Sequence, residues 1–187
     1  DVARPLFSKV LDLAIAAVYG TNKLETLNTD SGGNNGYTYV QSLTAAVLTI
    51  PAGVITKMRV TFQAGAAEAL IITNAYIGHK AAAGDVYDFL ATPVQLLFAG
   101  SASKTIAIGT SEVSDLATFA YDKTSNLLIA FYIGGGTGSD TLRYKTGVTG
   151  AQAYTKNAND AATVDKTGYT TFSGYLTAVT KVESDGF

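Results

Sequence analysis

Thr56-Lys57-Met58-Arg59-Val60-Thr61-Phe62-Gln63 and Asn126-Leu127-Leu128-Ile129-Ala130-Phe131-Tyr132-Ile133 decide the fold of this chain. In the first, polar and apolar side chains alternate, the period-2 pattern of a strand with one wet face. The second is nearly all apolar, as expected of a strand covered on both faces. Between them, residues 49–133 read as short strands joined by Gly-, Asp- and Asn-rich turns, with no catalytic constellation embedded.

Outward from these two runs, strands are expected near 37–43, 45–50, 54–63, 69–77, 94–98, 104–108, 113–121, 126–133, 141–146, 152–156 and 171–182. Turn signals separate them and no βαβ alternation occurs. The pattern therefore predicts an all-β chain, an antiparallel β-sandwich or jelly roll. Tyr37, Tyr39 and Val40 open this domain, and Leu176, Val179 and Val182 close it by pairing near the first strands. No internal repeat is present.

Ahead of the strands, Leu6, Phe7, Val10, Leu11, Ala14, Ile15 and Val18 recur at the spacing of one helix face. Pro5 suits the first helical position and Gly20 a left-handed cap. A polar loop over 22–36 ends in Asp30-Ser31-Gly32-Gly33-Asn34-Asn35-Gly36. The chain thus divides into an N-terminal α-helix and linker, 1–36, and a β-sandwich domain, 37–187. The helix 5–19 either packs against the sandwich or binds a neighbouring subunit. Ala14-Ile15-Ala16 has the small-residue look of a signal cleavage site, and the helix is the preferred reading of that stretch.

The chain has 187 residues, enough to bury a sizeable core. Its 13 Lys and Arg against 15 Asp and Glu include no basic run, which argues against nucleic acid and against an anionic membrane surface. No stretch approaches the roughly 20 apolar residues that span a bilayer, so no membrane insertion is expected. With no cysteine, disulfides, thiolate metal sites and Cys nucleophiles are excluded. No cofactor is expected.

Gly134-Gly135-Gly136-Thr137-Gly138-Ser139 follows a strong strand but lacks the Lys-Ser/Thr of a phosphate loop. Another strand follows instead of a helix, and Asp140 would repel phosphate. His79 is the single histidine and no Gly-x-Ser-x-Gly elbow exists, so a serine triad has no foothold. A two-histidine metal site is impossible. Asp85 and Asp88, with Asp115 or Asp122, could offer oxygens to calcium, which takes about six to eight of them. No Asp-x-Asp-x-Asp cluster supports this, and no metal ligand is assigned. A glycosidase pair of carboxylates finds little support in so few acids.

A ligand surface is the remaining functional reading. Tyr76, His79, Asp85, Tyr87 and Asp88 form a polar, aromatic-edged segment, and Tyr144, Tyr154 and Tyr169 lie in or beside the Gly/Thr/Asn-rich stretch 134–170. A tyrosine ring stacks on the apolar face of a sugar while its hydroxyl bonds the edge. The same residues serve equally to fill strand edges and hold loops. Both readings stand at this point.

Ile50-Pro51-Ala52-Gly53, Tyr76-Ile77-Gly78-His79, Gly84-Asp85-Val86-Tyr87-Asp88-Phe89 and Tyr121-Asp122-Lys123-Thr124-Ser125-Asn126-Leu127-Leu128 follow one another in that order. Over 49–133 this order resembles non-catalytic, jelly-roll-like β-sandwich domains of phage virion and tail surface proteins. It is similar also to accessory modules of bacterial GDSL-type hydrolases. The resemblance implies a module displayed on a virion surface or outside the cell, non-enzymatic, with cell-surface glycans as ligand and other copies or virion proteins as partners. It transfers no individual binding residue. A head fibre, decoration or tail adhesion domain with weak glycan affinity is the leading expectation. The alternatives are a shell or filament subunit without ligand and a carbohydrate-binding hydrolase accessory.

Overall fold

The computed structural model describes residues 20–48, 53–135 and 140–185. The helix expected over 5–19 lies outside the described residues, as do 136–139 of the Gly-rich run. In chain order the elements are β1 (Gly20–Lys23), β2 (Thr29–Ser31), β3 (Tyr37–Leu43), α1 (Ala45–Leu48), β4 (Lys57–Gln63), β5 (Leu70–His79), β6 (Val94–Leu96), β7 (Lys104–Ile106), β8 (Ser111–Val113), β9 (Ala117–Thr118), β10 (Leu127–Ile133), β11 (Leu142–Lys145), β12 (Ala151–Lys156), β13 (Thr170–Ser173), β14 (Leu176–Thr177) and β15 (Val179–Ser184). The described chain is all-β, its strands paired antiparallel.

The largest sheet runs β13-β12-β3-β10-β5, with β6 and β7 sharing the far edge of β5. A second sheet runs β1-β15-β4, with β8 and β9 sharing the free edge of β4. A third, small sheet is β14-β11-β2.

In β4 the alternation holds: Met58, Val60 and Phe62 are buried, while Arg59, Thr61 and Gln63 are partly exposed. In β10 only Tyr132 retains partial exposure, because both faces of the strand are covered. One face carries Leu127, Ile129, Phe131 and Ile133 into the main core, together with Met58, Val60, Phe62, Val179 and Val182 of the second sheet. The Phe131 ring meets Phe62 edge-on at 5.4 Å and stacks on Tyr39 at 5.6 Å. The other face, Leu128 and Ala130, lies in a separate cluster with Val40, Tyr87, Phe89, Tyr154 and Ala161. Each large apolar side chain so buried contributes roughly 1.5–3 kcal/mol. With Leu127, Ile129, Phe131 and Ile133 buried on one face and Leu128 and Ala130 on the other, β10 shows no polar alternation.

Phe89 reaches that second cluster because Gly78 has no side chain. A Cβ there would lie 2.6 Å from the Phe89 ring.

The structure departs from the expected strands at four places. Residues 45–48 form a helical turn where a strand over 45–50 is expected. Thr44 O accepts the amides of Val47 and Leu48, Ala45 and Ala46 favour helix, and Leu48 is buried in the core. The strand expected over 113–121 is broken between β8 and β9. There Ser114 exchanges hydrogen bonds with Val60, and the Asp115 carboxylate takes the amides of Ala99 and Gly100 at 3.0 and 2.7 Å. The strand expected over 171–182 is three strands in three sheets, parted by Gly174 (φ +72°) and Ala178 (φ +52°). Ala178 joins two of those sheets. Its amide donates to Arg143 O of β11 and its carbonyl accepts from Gln63 of β4. Finally, the segment expected as linker contributes β1, paired with β15, and β2, paired with β11. The closing strand β15 pairs with β1 and β4 rather than with β3.

Candidate binding groove

The three-stranded sheet stands beside the β12–β13 end of the large sheet, and a groove of about 210 Å³ lies between them. Its walls are aromatic. Tyr144 of β11 stacks on Tyr175, with centroids 5.5 Å apart and planes 15° apart. Phe172 of β13 meets Tyr175 at 5.4 Å and remains 37% exposed. Tyr39 of β3 also lines the groove, and Thr155 and Thr177 add hydroxyl groups.

Local chemistry fixes these rings. The Gln41 side chain donates to Tyr175 O at 3.1 Å and accepts the Thr177 amide at 2.8 Å, so the turn carrying Tyr175 is tied to β3. The Tyr39 hydroxyl donates to Asn34 Oδ1, and Asn34 Nδ2 donates to Ser31 O and Asp140 O at 2.6 and 2.8 Å. Burial, helped by Tyr37, pushes the Tyr39 hydroxyl up to about 12, so it stays a donor at neutral pH. Flat apolar rings beside hydroxyl edges are the complement of a sugar ring.

Of the residues singled out from the sequence, only Tyr144 lies here. Phe172 and Tyr175 carry no expectation from the sequence, and Tyr39 is expected there only as a strand residue that opens the domain. The signal that could have found two of them is Phe172-Ser173-Gly174-Tyr175, aromatic residues on either side of a Ser-Gly turn.

Tyr76, Tyr87, Asp88, Tyr154 and Tyr169 come together elsewhere, over the outer face of β10. Tyr87 meets Tyr154 edge-on at 5.4 Å and Tyr169 at 4.8 Å, while Tyr76 packs at the margin. Tyr154 is 1% exposed and Tyr87 9%. Their rings form the lid of a core. The Tyr154 hydroxyl donates to Gln152 and that of Tyr169 to Asp160, and burial followed by this carboxylate raises the Tyr169 hydroxyl well above its ordinary range. Asp88 accepts the amides of Asp85 and Lys166 at 2.6 and 2.8 Å, clamping two loops together. Gly84, at φ +92°, makes room for it; a Cβ there would lie 2.7 Å from Asp88 Oδ2. Lys166 is buried with its ammonium 4.0 Å from the centre of the Phe89 ring. Asp85 sits exposed on the same turn.

His79 points to neither place. Its ring stacks on Tyr121 at 5.5 Å and meets Phe119 at 4.8 Å, and its Nε2 accepts the Asp122 amide at 2.8 Å. Burial holds its pKa below the ordinary value, partly offset by Asp122. The acids considered for calcium do not converge: Asp115 caps the 99–100 turn and Asp122 accepts the amide and hydroxyl of Thr124. Among the described residues no group of three or more His, Asp or Glu side chains surrounds one point.

A wider recess of about 700 Å³ lies between Leu24, Val47 and Val148, and the described residues that line it include no aromatic ring. Its charged members, Glu25 and Lys145, neutralise each other at 2.6 Å. Among the described residues no helix is long and apolar enough to cross a membrane. No protein-family model matches the chain, and comparison with curated proteins gives no match.

Proposed function

We propose that this chain is a non-enzymatic β-sandwich module of a virion surface that binds a glycan weakly through the Tyr144–Tyr175–Phe172 groove. The observation that carries the reading is the stacked Tyr144–Tyr175 pair beside the partly exposed Phe172 ring. Gln41 ties the turn that carries Tyr175 to β3, so a ligand would lose little free energy in ordering that turn. The sandwich arrangement draws support from the Phe62–Phe131 contact and from the core shared by the two larger sheets. The non-enzymatic reading draws support from the titratable residues themselves: His79 and Asp88 are engaged by backbone amides.

A glycan array probed with the full chain tests this reading. Binding to a defined sugar class supports it, and an empty array at high protein concentration removes it.

A ligand-free shell or filament subunit is the second reading. It is favoured by one feature, the edge strand β13, whose four residues are all exposed at the border of the large sheet. Such an edge is a template for pairing with another chain.

A further inference from the structure

The strands around the Tyr144–Tyr175 groove sort their side chains by charge. Successive side chains of a strand alternate between its faces. On β11, Leu142 and Tyr144 line the groove, and Arg143 and Lys145 take the opposite face. Arg143 pairs there with Asp30 of β2 at 3.0 Å, and Lys145 with Glu25 at 2.6 Å. The next residue of β2, Ser31, stands across from Leu142 and lines the groove. On β12, Ala153 and Thr155 line it, while Lys156 turns away to Asp160 at 3.0 Å and to the Tyr169 ring. The described residues that line the groove accordingly include no charged side chain.

The polar groups left facing the groove include two hydroxyls whose protons are committed inward. Tyr39 donates to Asn34 Oδ1, and Thr177 Oγ1 donates to Gln41 Oε1 at 3.1 Å. A hydroxyl so engaged offers a ligand only its lone pairs. A sugar hydroxyl or acetamido N–H can donate to such an oxygen; a carboxylate or sulfate cannot. An acidic sugar would also bring its charge among aromatic rings with no cation opposite, which is costly. Size narrows the occupant further. At about 210 Å³ the groove is smaller than the roughly 300 Å³ at which pockets for drug-sized ligands begin. Ala153, the register partner of Phe172, keeps the floor beside that ring low.

We propose that the groove takes one uncharged pyranose ring, a neutral hexose or N-acetylhexosamine, and discriminates against uronic, sialic and sulfated sugars. This rests on the glycan reading of the groove and adds the class of sugar. The apolar face of the ring stacks on Phe172 and Tyr175, and its hydroxyls donate to Tyr39 and Thr177.

The test is an array that sets neutral oligosaccharides beside their uronic, sialylated and sulfated counterparts, probed with the full chain at neutral pH. The best-bound sugar and its counterpart of the other charge are then titrated into wild type, Tyr175→Ala and Phe172→Ala. The neutral member should bind roughly tenfold tighter or better, and each variant should weaken it. Phe172→Ala, on an exposed edge strand, serves if Tyr175→Ala fails to fold. Equal or tighter binding of the acidic member overturns the proposal; if the same variants weaken that binding, the groove remains a glycan site. Neutral-sugar binding that neither variant weakens overturns the proposal as well. An empty array removes the glycan reading and this inference with it.

Discussion

The ring of Tyr144 lies on that of Tyr175, 5.5 Å between centroids and 15° from parallel, although the two residues stand 31 positions apart in the chain. Tyr144 lies on β11 at the centre of the small sheet, and Tyr175 lies on the turn that carries the chain out of the large sheet. The stack therefore exists only where the two sheets meet. Removing one ring should leave each sheet's hydrogen bonds intact. Tyr175→Ala is expected to weaken glycan binding roughly tenfold, the order of magnitude of one stacking contact. Titration of an array-selected glycan into wild type and variant checks this.

Asp88 makes the opposite prediction. Its two oxygens hold the amides of Asp85 and Lys166, and so fasten the loops that roof Leu128 and Ala130. Asp88→Ala leaves those amides without that acceptor and should cost roughly 1–3 kcal/mol. At about 2–4 °C per kcal/mol for a chain of this size, melting should fall by several degrees. Glycan affinity should be unchanged, because the groove shares no residue with this cluster.

Gly78→Ala examines the same roof from below. The added methyl would press on the Phe89 ring at 2.6 Å, and overpacking of this kind costs about 1–3 kcal/mol. Phe89→Leu in the same chain should recover part of the loss, which a double-mutant comparison by denaturant melts would register.

The single histidine sets a pH dependence. Folding holds the His79 pKa below its ordinary 6.5, chiefly through burial. Below 6.5 the unfolded chain takes up the proton first, so stability falls as pH drops through 6.5 towards the folded value. Protonation also removes the acceptor for the Asp122 amide. His79→Gln, which keeps an acceptor but does not titrate, should flatten the curve between pH 5 and 7. Urea melts across that range measure the difference.

How far the sequence could be read follows from where the physics is local. β3 matches the strand expected over 37–43, and β4 and β10 follow their periodicity closely, because alternation and burial on both faces are written in adjacent side chains. The run 171–182 misled because a strand that changes sheets keeps its β-prone composition; the changes fall at Gly174 and at Ala178, a residue seldom found at positive φ. The candidate site was less legible. Tyr87 and Tyr169 look in sequence like exposed loop aromatics and Tyr154 like a strand-edge one, yet all three cover a core made by β10, more than twenty residues away along the chain. Tyr175 and Phe172 went unnoticed inside what read as one strand. Long-range packing, invisible to periodicity, decided which tyrosines face solvent.

Oligomeric state separates the two functional readings. Because β1 and β2 pair with β15 and β11, a shortened chain should begin at Gly20 rather than after the polar segment at 36. Light scattering is expected to find the full chain oligomeric and the chain from Gly20 a folded monomer, as attachment through 5–19 requires. An oligomer that survives the truncation would favour assembly through the β13 edge.

The most direct test of the glycan groove is NMR of the tyrosine and phenylalanine ring resonances during titration with the best array glycan. The account predicts shifts concentrated on Tyr144, Tyr175 and Phe172, with Tyr87, Tyr154 and Tyr169 unmoved. Shifts centred on Tyr87, Tyr154 and Tyr169, or saturable binding that leaves the Tyr144–Tyr175 pair undisturbed, would contradict it.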